Sequence, residues 1–361
     1  MSNAGSMGRA NRAGTGAVTL QQVARHAGVS LATASRALHG SGGRSVGDEL
    51  RQRVQAAADE LSYVSNAPAQ ALASSTTNVV GLIIHDVADP YFAAIAAGAM
   101  RAAREQRLMV MIAATFREPG LELEYLRRLR AQRARAVILA GSGIADAPDA
   151  ERLAEEIAGF EGDGGRVVCI GDRGSGLDTV APDHRGGAAQ AVRALWEQGH
   201  RRMGLISGPP ELTTVRDRLD GARAALRALG GELPDERVAA GDFTREGGRA
   251  AARELHAQDP GITAVLVLND VMAVGVLAAL QQDLGLRVPE QVSVIGFDDV
   301  PFAADLRPAL STVRLPLEAA GEQAVGLILD AGSGDAVAAG PRRVGLAAEL
   351  VLRASTGPTR D

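Results

Sequence analysis

Lysine is absent from all 361 residues, so every strong base in the chain is an arginine and no phosphate-binding Walker loop is possible. Cysteine is nearly absent too. The single Cys169 excludes an internal disulfide and a zinc knuckle, and its setting in the apolar run RVVCI reads as a core thiol in a reducing cytosol. Six histidines, at positions 26, 39, 85, 184, 200 and 256, are scattered without an HExxH spacing, so no metal site and no cofactor is expected. No G-x-S-x-G nucleophile elbow occurs, and GSG at 141–143 lacks the third glycine of a dinucleotide fingerprint. The paired acids Glu122/Glu124 and Glu155/Glu156 fall on amphipathic helices and read as solvated faces, so no catalytic residue is assigned and the chain is expected not to be an enzyme. No apolar run approaches the about 20 residues that span a bilayer. The polar, glycine-rich residues 1–17 lack the apolar stretch of a signal peptide and read as a disordered arm. A cytoplasmic protein is expected.

Charge is uneven along the chain. Residues 1–74 hold seven arginines against four acids, +3, so the rest carries −8 of the overall −5. A mildly basic head on an acidic body suits one-sided phosphate contact, although the balance alone does not establish it. The informative stretch is VTLQQVARHAGVSLATASRALHG, Val18 to Gly40. Thr19 followed by Gln22 makes a capping box, and Leu20, Val23, Ala24 and Ala27 recur at helical spacing as one buried stripe. Gly28 breaks that helix, and Ser30 can cap a second, in which Ala34, Ala37 and Leu38 turn inward while Leu31, Ala32, Ser35 and Arg36 face out. A third helix is expected over Asp48 to Ser62, with Leu50, Val54, Ala57 and Leu61 completing a small core. Two helices joined by a short glycine-containing turn also occur as a purely structural hairpin; as a helix-turn-helix, the second lies in the DNA major groove.

This stretch, together with the following YVSNAPAQALA at 63–73, resembles the head of the LacI/GalR family of bacterial transcriptional regulators, and the resemblance covers nearly the whole chain. It implies a hinge helix capped by Asn66, with Pro68 in the first turn, Ala69 and Leu72 facing a partner copy, and Leu72 wedged into the minor groove. DNA contacts are then expected from Thr19, Ser30, Leu31, Ala32, Thr33, Ser35, Arg36, His39, Tyr63, Asn66, Ala69 and Leu72. Leu31 and Ala32 are similar to the Val-Ala pair of galactose-type repressors and can make only van der Waals contacts, so hydrogen-bonded base reading falls to Arg36. Ser30, Thr33 and Ser35 suit phosphates. His39 stands where the family usually has asparagine.

From Asn78 onward short apolar runs alternate with amphipathic helices, as parallel sheets covered on both faces require. Strands are expected at 79–84, 108–113, 136–139, 167–170, 203–206, 264–268 and 292–295, and about 280 residues of this pattern call for two lobes. SSTTN (74–78) and LDTVAPDH (177–184) read as linkers. The fold expected is α/β: a small all-α helix-turn-helix head and a two-lobed core of Rossmann-like parallel sheets, as in periplasmic sugar-binding proteins. Its divisions are a disordered arm 1–17, a DNA-binding domain 18–63, a hinge helix and linker 64–77, an N-terminal lobe 78–181 plus 313–340, and a C-terminal lobe 182–312 plus 341–361. The resemblance implies crossovers near Ala181, Thr312 and Pro341.

Ligands in such folds bind at the carboxyl ends of strands facing the cleft. The resemblance implies effector contacts from Asp89, Tyr91 and Phe92 in DPYF, the Asp172–Arg173 pair, Arg218, Phe243, Asn269 and Asp298. Asp270 reads as a helix-capping acid, Asp299 as a solvated neighbour and His85 as a structural histidine, and Leu315 replaces a frequent family glutamine. Acceptors and donors around aromatic faces suit a sugar-like ring. The function expected is a homodimeric repressor of carbohydrate-metabolism genes on a pseudo-palindromic DNA operator, controlled by a small effector in the cleft. Two alternatives remain at this level, a nucleobase-responsive regulator of purine-repressor type and a sugar-binding protein that does not touch DNA.

Overall fold

A computed structural model describes residues 18–39, 46–63, 76–118, 120–143, 149–173, 176–330 and 340–359. The chain forms two units, divided between Thr77 and Asn78. In the first, α1 (Leu20–His26) opens on the expected capping box: Thr19 N donates to Gln22 Oε1 at 2.7 Å and Gln22 N to Thr19 Oγ1 at 3.3 Å. It closes at Gly28, whose φ of +65° lies in the left-handed region where a side chain would be strained. In α2 (Leu31–His39), Ser30 Oγ accepts from Thr33 N at 3.1 Å, and α3 (Asp48–Glu60) follows. Val23, Ala34 and Val54, one from each helix, are fully buried, and alanines at 24, 27, 37, 57 and 58 let the short helices approach closely. His26 Nε2 meets Glu60 Oε2 at 2.8 Å across α1 and α3. That contact is exposed and adds about 0–1 kcal/mol, against about 1.5–3 kcal/mol for each buried valine, so packing holds the head together.

The second unit has two six-stranded sheets. The first sheet contains β1 (Val79–Ile84), β2 (Met109–Ala114), β3 (Ala136–Ala140), β4 (Arg166–Ile170) and β5 (Asp178–Pro182). The second contains β6 (Met203–Ser207), β7 (Val238–Ala240), β8 (Ala264–Val267), β9 (Ser293–Asp298) and β10 (Ser311–Arg314). The chain returns to the first sheet as β11 (Arg343–Leu346) and ends in the second as β12 (Glu349–Val351), giving orders β11-β5-β4-β3-β1-β2 and β12-β10-β9-β8-β6-β7. Among the described strands only the β10–β12 pair is antiparallel. Between the strands run α4 (Pro90–Glu105), α5 (Leu121–Ala131), α6 (Ala150–Gly162), α7 (His184–Glu197), α8 (Thr213–Ala228), α9 (Arg245–Gln258), α10 (Asp270–Ala278) and α11 (Leu317–Asp330). Central strands such as AVILA in β3 are buried at every position, as expected of strands covered on both faces.

Two readings from sequence need correction. The segment LDTVAPDH is a strand, β5, rather than a linker, because β4 and β11 pair with it on both sides. Asp178, which made it look loop-like, is bound by the Arg342 guanidinium at 2.6 Å. The third crossover falls between Leu346 and Glu349, not near Pro341, since Arg343 to Leu346 still pair with Thr179 to Pro182. The helix α11, which follows the second crossover, packs on α4 with their backbones touching: a side chain at Gly98 would strike the Glu318 carbonyl, and one at Gly321 the Ile95 carbonyl. No described helix is long and apolar enough to cross a membrane.

Candidate functional site

On the head, Leu31 is 50% exposed and Ala32 is exposed beside it. Arg36 is half-buried rather than fully outward, because its Nε donates to Ala32 O at 3.1 Å. That bond fixes the stem and leaves the two terminal guanidinium nitrogens, the pair that matches guanine O6 and N7. Ser35 and Thr33 are half-buried, and the Ser30 and Thr33 hydroxyls meet at 2.8 Å. Thr19 is engaged in its cap, and α2 runs to His39. Tyr63 packs against the head core and its N–H closes α3 on Ala58 O at 2.8 Å. Asn66, Ala69 and Leu72 lie outside the described residues.

In the core, four of the expected effector residues come together from both lobes. Asp89 caps α4, its Oδ1 accepting from Tyr91 N at 2.9 Å, which orients the DPYF turn. Tyr91 is buried, and Arg218, Asp298 and Asp89 all act on its phenol electrostatically, although burial is the largest cause of its raised pKa. Arg218 is buried against the Phe297 ring at 4.0 Å and donates from Nη2 to Asp298 Oδ1 at 2.9 Å, from Nη1 to Leu268 O and from Nε to His184 Nδ1 at 3.3 Å. Asp298 holds a φ of +109°, in the left-handed half of the map that aspartate seldom occupies. Burial pushes its carboxyl upward, Arg218 opposes that, and Asp270 and Asp89 add to it. Asn269 caps α10 by accepting from Met272 N at 2.9 Å and keeps its amide nitrogen as a donor.

Other expected residues are placed differently. Asp172 and Arg173 reach different partners: Asp172 meets Arg343 at 2.8 Å near the surface, whereas Arg173 turns inward to Glu122 at 2.6 Å with its Nε buried and unbonded. Phe92 lies edge-on to His85 and Tyr91, with ring centres 5.6 and 5.0 Å away. The Phe243 ring instead carries Arg117 of the other lobe at 5.4 Å. Arg117 escaped the sequence reading because it follows β2 in a turn of two left-handed residues, Phe116 and Arg117, that no helical or strand pattern marks. His184 escaped because it sits in the stretch mistaken for a linker. His85 is structural as expected, bonded to Thr115 and Ser142. Asp299 is not a solvated neighbour, since it binds Arg314 and Arg353 at 2.7 Å each. The lobes are also latched directly: Thr213 N donates to Gly143 O at 3.1 Å, Thr213 Oγ1 to Asp172 O at 3.2 Å, and the Ser142 and Thr214 hydroxyls touch. Among the described residues no cluster of metal ligands occurs.

Asp270 is fully buried beneath this site, accepting from Thr312 Oγ1 at 2.7 Å and from Val300 N at 3.0 Å, in space that only a glycine at 296 leaves open. Burial pushes its carboxyl from 3.8 to about 7. A raised carboxyl is protonated more readily in the folded chain, so its contribution to stability is fully present below 3.8 and is lost as pH rises through about 7. His85, lowered to about 4 chiefly by burial, has the opposite sign and loses its contribution as pH falls from 6.5. Asp270→Asn removes only the first of these. Its stability relative to the native chain should therefore rise between pH 5 and pH 8, by an amount on the order of 2–4 kcal/mol. Calorimetry across that range tests it, and a constant difference would show that Asp270 is ionised throughout.

Comparison with known proteins places both units. Residues 19–66 match the family described as bacterial regulatory proteins, lacI family, and residues 192–356 match a periplasmic binding protein-like domain. The HTH-type transcriptional regulator GalR of Escherichia coli (strain K12) is 36% identical over 313 residues, 86% of this chain and 88% of that protein. The lac repressor dimer bound to operator and the anti-inducer ONPF has a TM-score of 0.80 at 26% identity, over 95% of this chain and 100% of that one. A complex of the regulator CelR with cellobiose has a TM-score of 0.70 at 31% identity, over 94% and 99%. The chain belongs to the lacI family of bacterial regulatory proteins, and it is a DNA-binding transcriptional regulator, not an enzyme.

Proposed function

We propose that the chain is a homodimeric repressor that holds a pseudo-palindromic operator through α2 and Leu72 and is switched by a sugar-like polyol bound between its lobes. The observation that carries this reading is that Asp89 and Tyr91 from one lobe lie within electrostatic reach of the Arg218–Asp298 ion pair of the other. A polyol hydroxyl both donates and accepts, so carboxylates and a guanidinium in one cluster suit it, while Phe92 and Phe243 supply apolar cover. The lac repressor and CelR structures, with their named ligands ONPF and cellobiose, support a sugar-class effector. Because the ligand-facing groups come from both lobes, effector binding acts on the lobe angle and thence on the hinge, a coupling of typically about 1–3 kcal/mol. Thermal-shift titration of the full chain with galactose, cellobiose and purines is the test. A purine shift with no sugar response sinks the sugar reading.

The second copy fits the open edge of the first sheet. Strand β2 is the edge strand, and Met109 and Phe116 there are 59% and 61% exposed, with Met111 and Ile112 also exposed. An edge strand carrying that much apolar surface is uncovered only in the isolated protomer. Met109→Glu should leave the fold intact and shift the chain to monomer in sedimentation velocity. A variant that sediments as the native dimer would place the interface elsewhere.

A further inference from the structure

Five helices of the core, α4 to α8, end in one kind of left-handed turn, made by glycine with two exceptions. After α6, α7 and α8 the chain turns through a left-handed residue that is glycine each time, at 164, 199 and 230, closed by the paired backbone bonds of a Schellman turn. After α4 and α5 the same turn is made by arginine: Arg107 and Arg133 both have a φ of +55°. Leu108 N returns to Ala103 O at 2.9 Å and Ala134 N to Leu129 O at 3.0 Å, so the geometry is the same and only the residue differs. Arginine is strained there and glycine is not. The helix dipole, which favours a cation at a C-terminus, stands equally at α6, α7 and α8 and so does not explain the choice.

The two exceptions share a location. Strand β1, where the chain comes into the core from the head, lies between β2 and β3. Met109 N bonds Asn78 O at 2.9 Å and Arg135 N bonds Val79 O at 2.8 Å. Arg107 therefore stands just before β2 on one side of Asn78, and Arg133 and Arg135 just before β3 on the other. All three are exposed. Neither Arg107 nor Arg135 is within ion-pair distance of a carboxylate among the described residues; Arg133 shares the field of Asp163, which Arg130 holds at 2.7 Å. Glu105 is the one exposed acid in the same turn as Arg107.

We propose that Arg107, Arg133 and Arg135 form a phosphate-contacting edge of the core, adding sequence-independent contacts to the DNA that the head selects. The inference rests on the operator reading above, in which Leu72 enters the minor groove. Leu72 and Asn78 are six Cα steps apart, a span of at most about 20 Å, and a duplex presents one phosphate charge per about 1.7 Å of its axis. The backbone of any duplex held at Leu72 is thus within a tether's length of these side chains.

The test uses the full chain and a 30-bp duplex that it selects from a random pool, with binding followed by anisotropy as salt is raised. Each phosphate contact adds about 0.9 to the slope of log affinity against log salt, so Arg107→Ala/Arg135→Ala, which takes four arginines off the phosphates in each dimer, should flatten that slope by about 3 to 4. Preference for the selected over a scrambled duplex should stay as it was, since phosphates carry no sequence. Arg107→Gly/Arg133→Gly should flatten the slope as well while its melting temperature holds or rises, which separates loss of the phosphate-binding charge from unfolding. An unchanged slope in a chain that still prefers its selected duplex overturns the proposal alone. A native chain with no preferred duplex overturns the operator reading, and the proposal with it.

Discussion

Arg218→Ala should abolish the thermal shift produced by any cleft ligand and lower the stability of the unliganded chain by about 3–5 kcal/mol. Three of the five guanidinium donors are committed, to Asp298, Leu268 O and His184, and the face lies on Phe297. Two donors remain for a ligand, in a plane that the other three fix. Removing the side chain leaves Asp298 buried with no cation beside it, and the loss of one partner of a buried pair is strongly destabilising. Its carboxyl, already pushed up by burial, would rise further. Arg218→Lys separates the two effects, because an ammonium keeps a charge near Asp298 but cannot reproduce the fork. It should recover part of the stability and none of the ligand shift. Persistence of the shift in Arg218→Ala would mean that the effector binds outside this cluster.

Leu72→Ala should weaken binding to the selected operator by about 2–4 kcal/mol, roughly thirty- to a thousandfold, while weak salt-sensitive binding to scrambled DNA stays nearly unchanged. On the wedge reading two leucines per dimer would leave the minor groove, each a loss of about 1.5–3 kcal/mol of apolar burial, partly offset because the central step would no longer have to be unstacked. Non-specific binding is electrostatic and does not involve a leucine. Competition anisotropy with both duplexes at one salt concentration decides the matter. Equal losses on the two DNAs would remove the wedge from the mechanism and leave Leu72 a packing residue.

Local physics was legible in the sequence where it decides structure alone. Thr19 and Gln22 form their box, Gly28 ends its helix, and VVGLII becomes β1 over the expected residues, because capping, left-handed turns and fully apolar runs act within a few residues. Family resemblance added Asp89, Tyr91, Arg218 and Asp298, which the fold gathers from segments at least 80 residues apart. What the sequence could not express was pairing at long range. LDTVAPDH looks like a linker by its own residues and is a strand because β11, from beyond residue 340, bonds to one of its edges. Asp172 and Arg173 are neighbours in the chain yet face different partners, because Arg343 and Glu122, which bind them, are brought to the loop after β4 from far away in sequence. By itself the sequence determined that a small group of capped helices precedes a two-lobed α/β core, since periodicity and caps are properties of adjacent residues, while the resemblance alone made the helix pair a helix-turn-helix. Only the tertiary structure decided which charges are buried, which arginines are paired and which remain exposed around Asn78, because burial and ion pairing depend on residues that the chain brings back from far away.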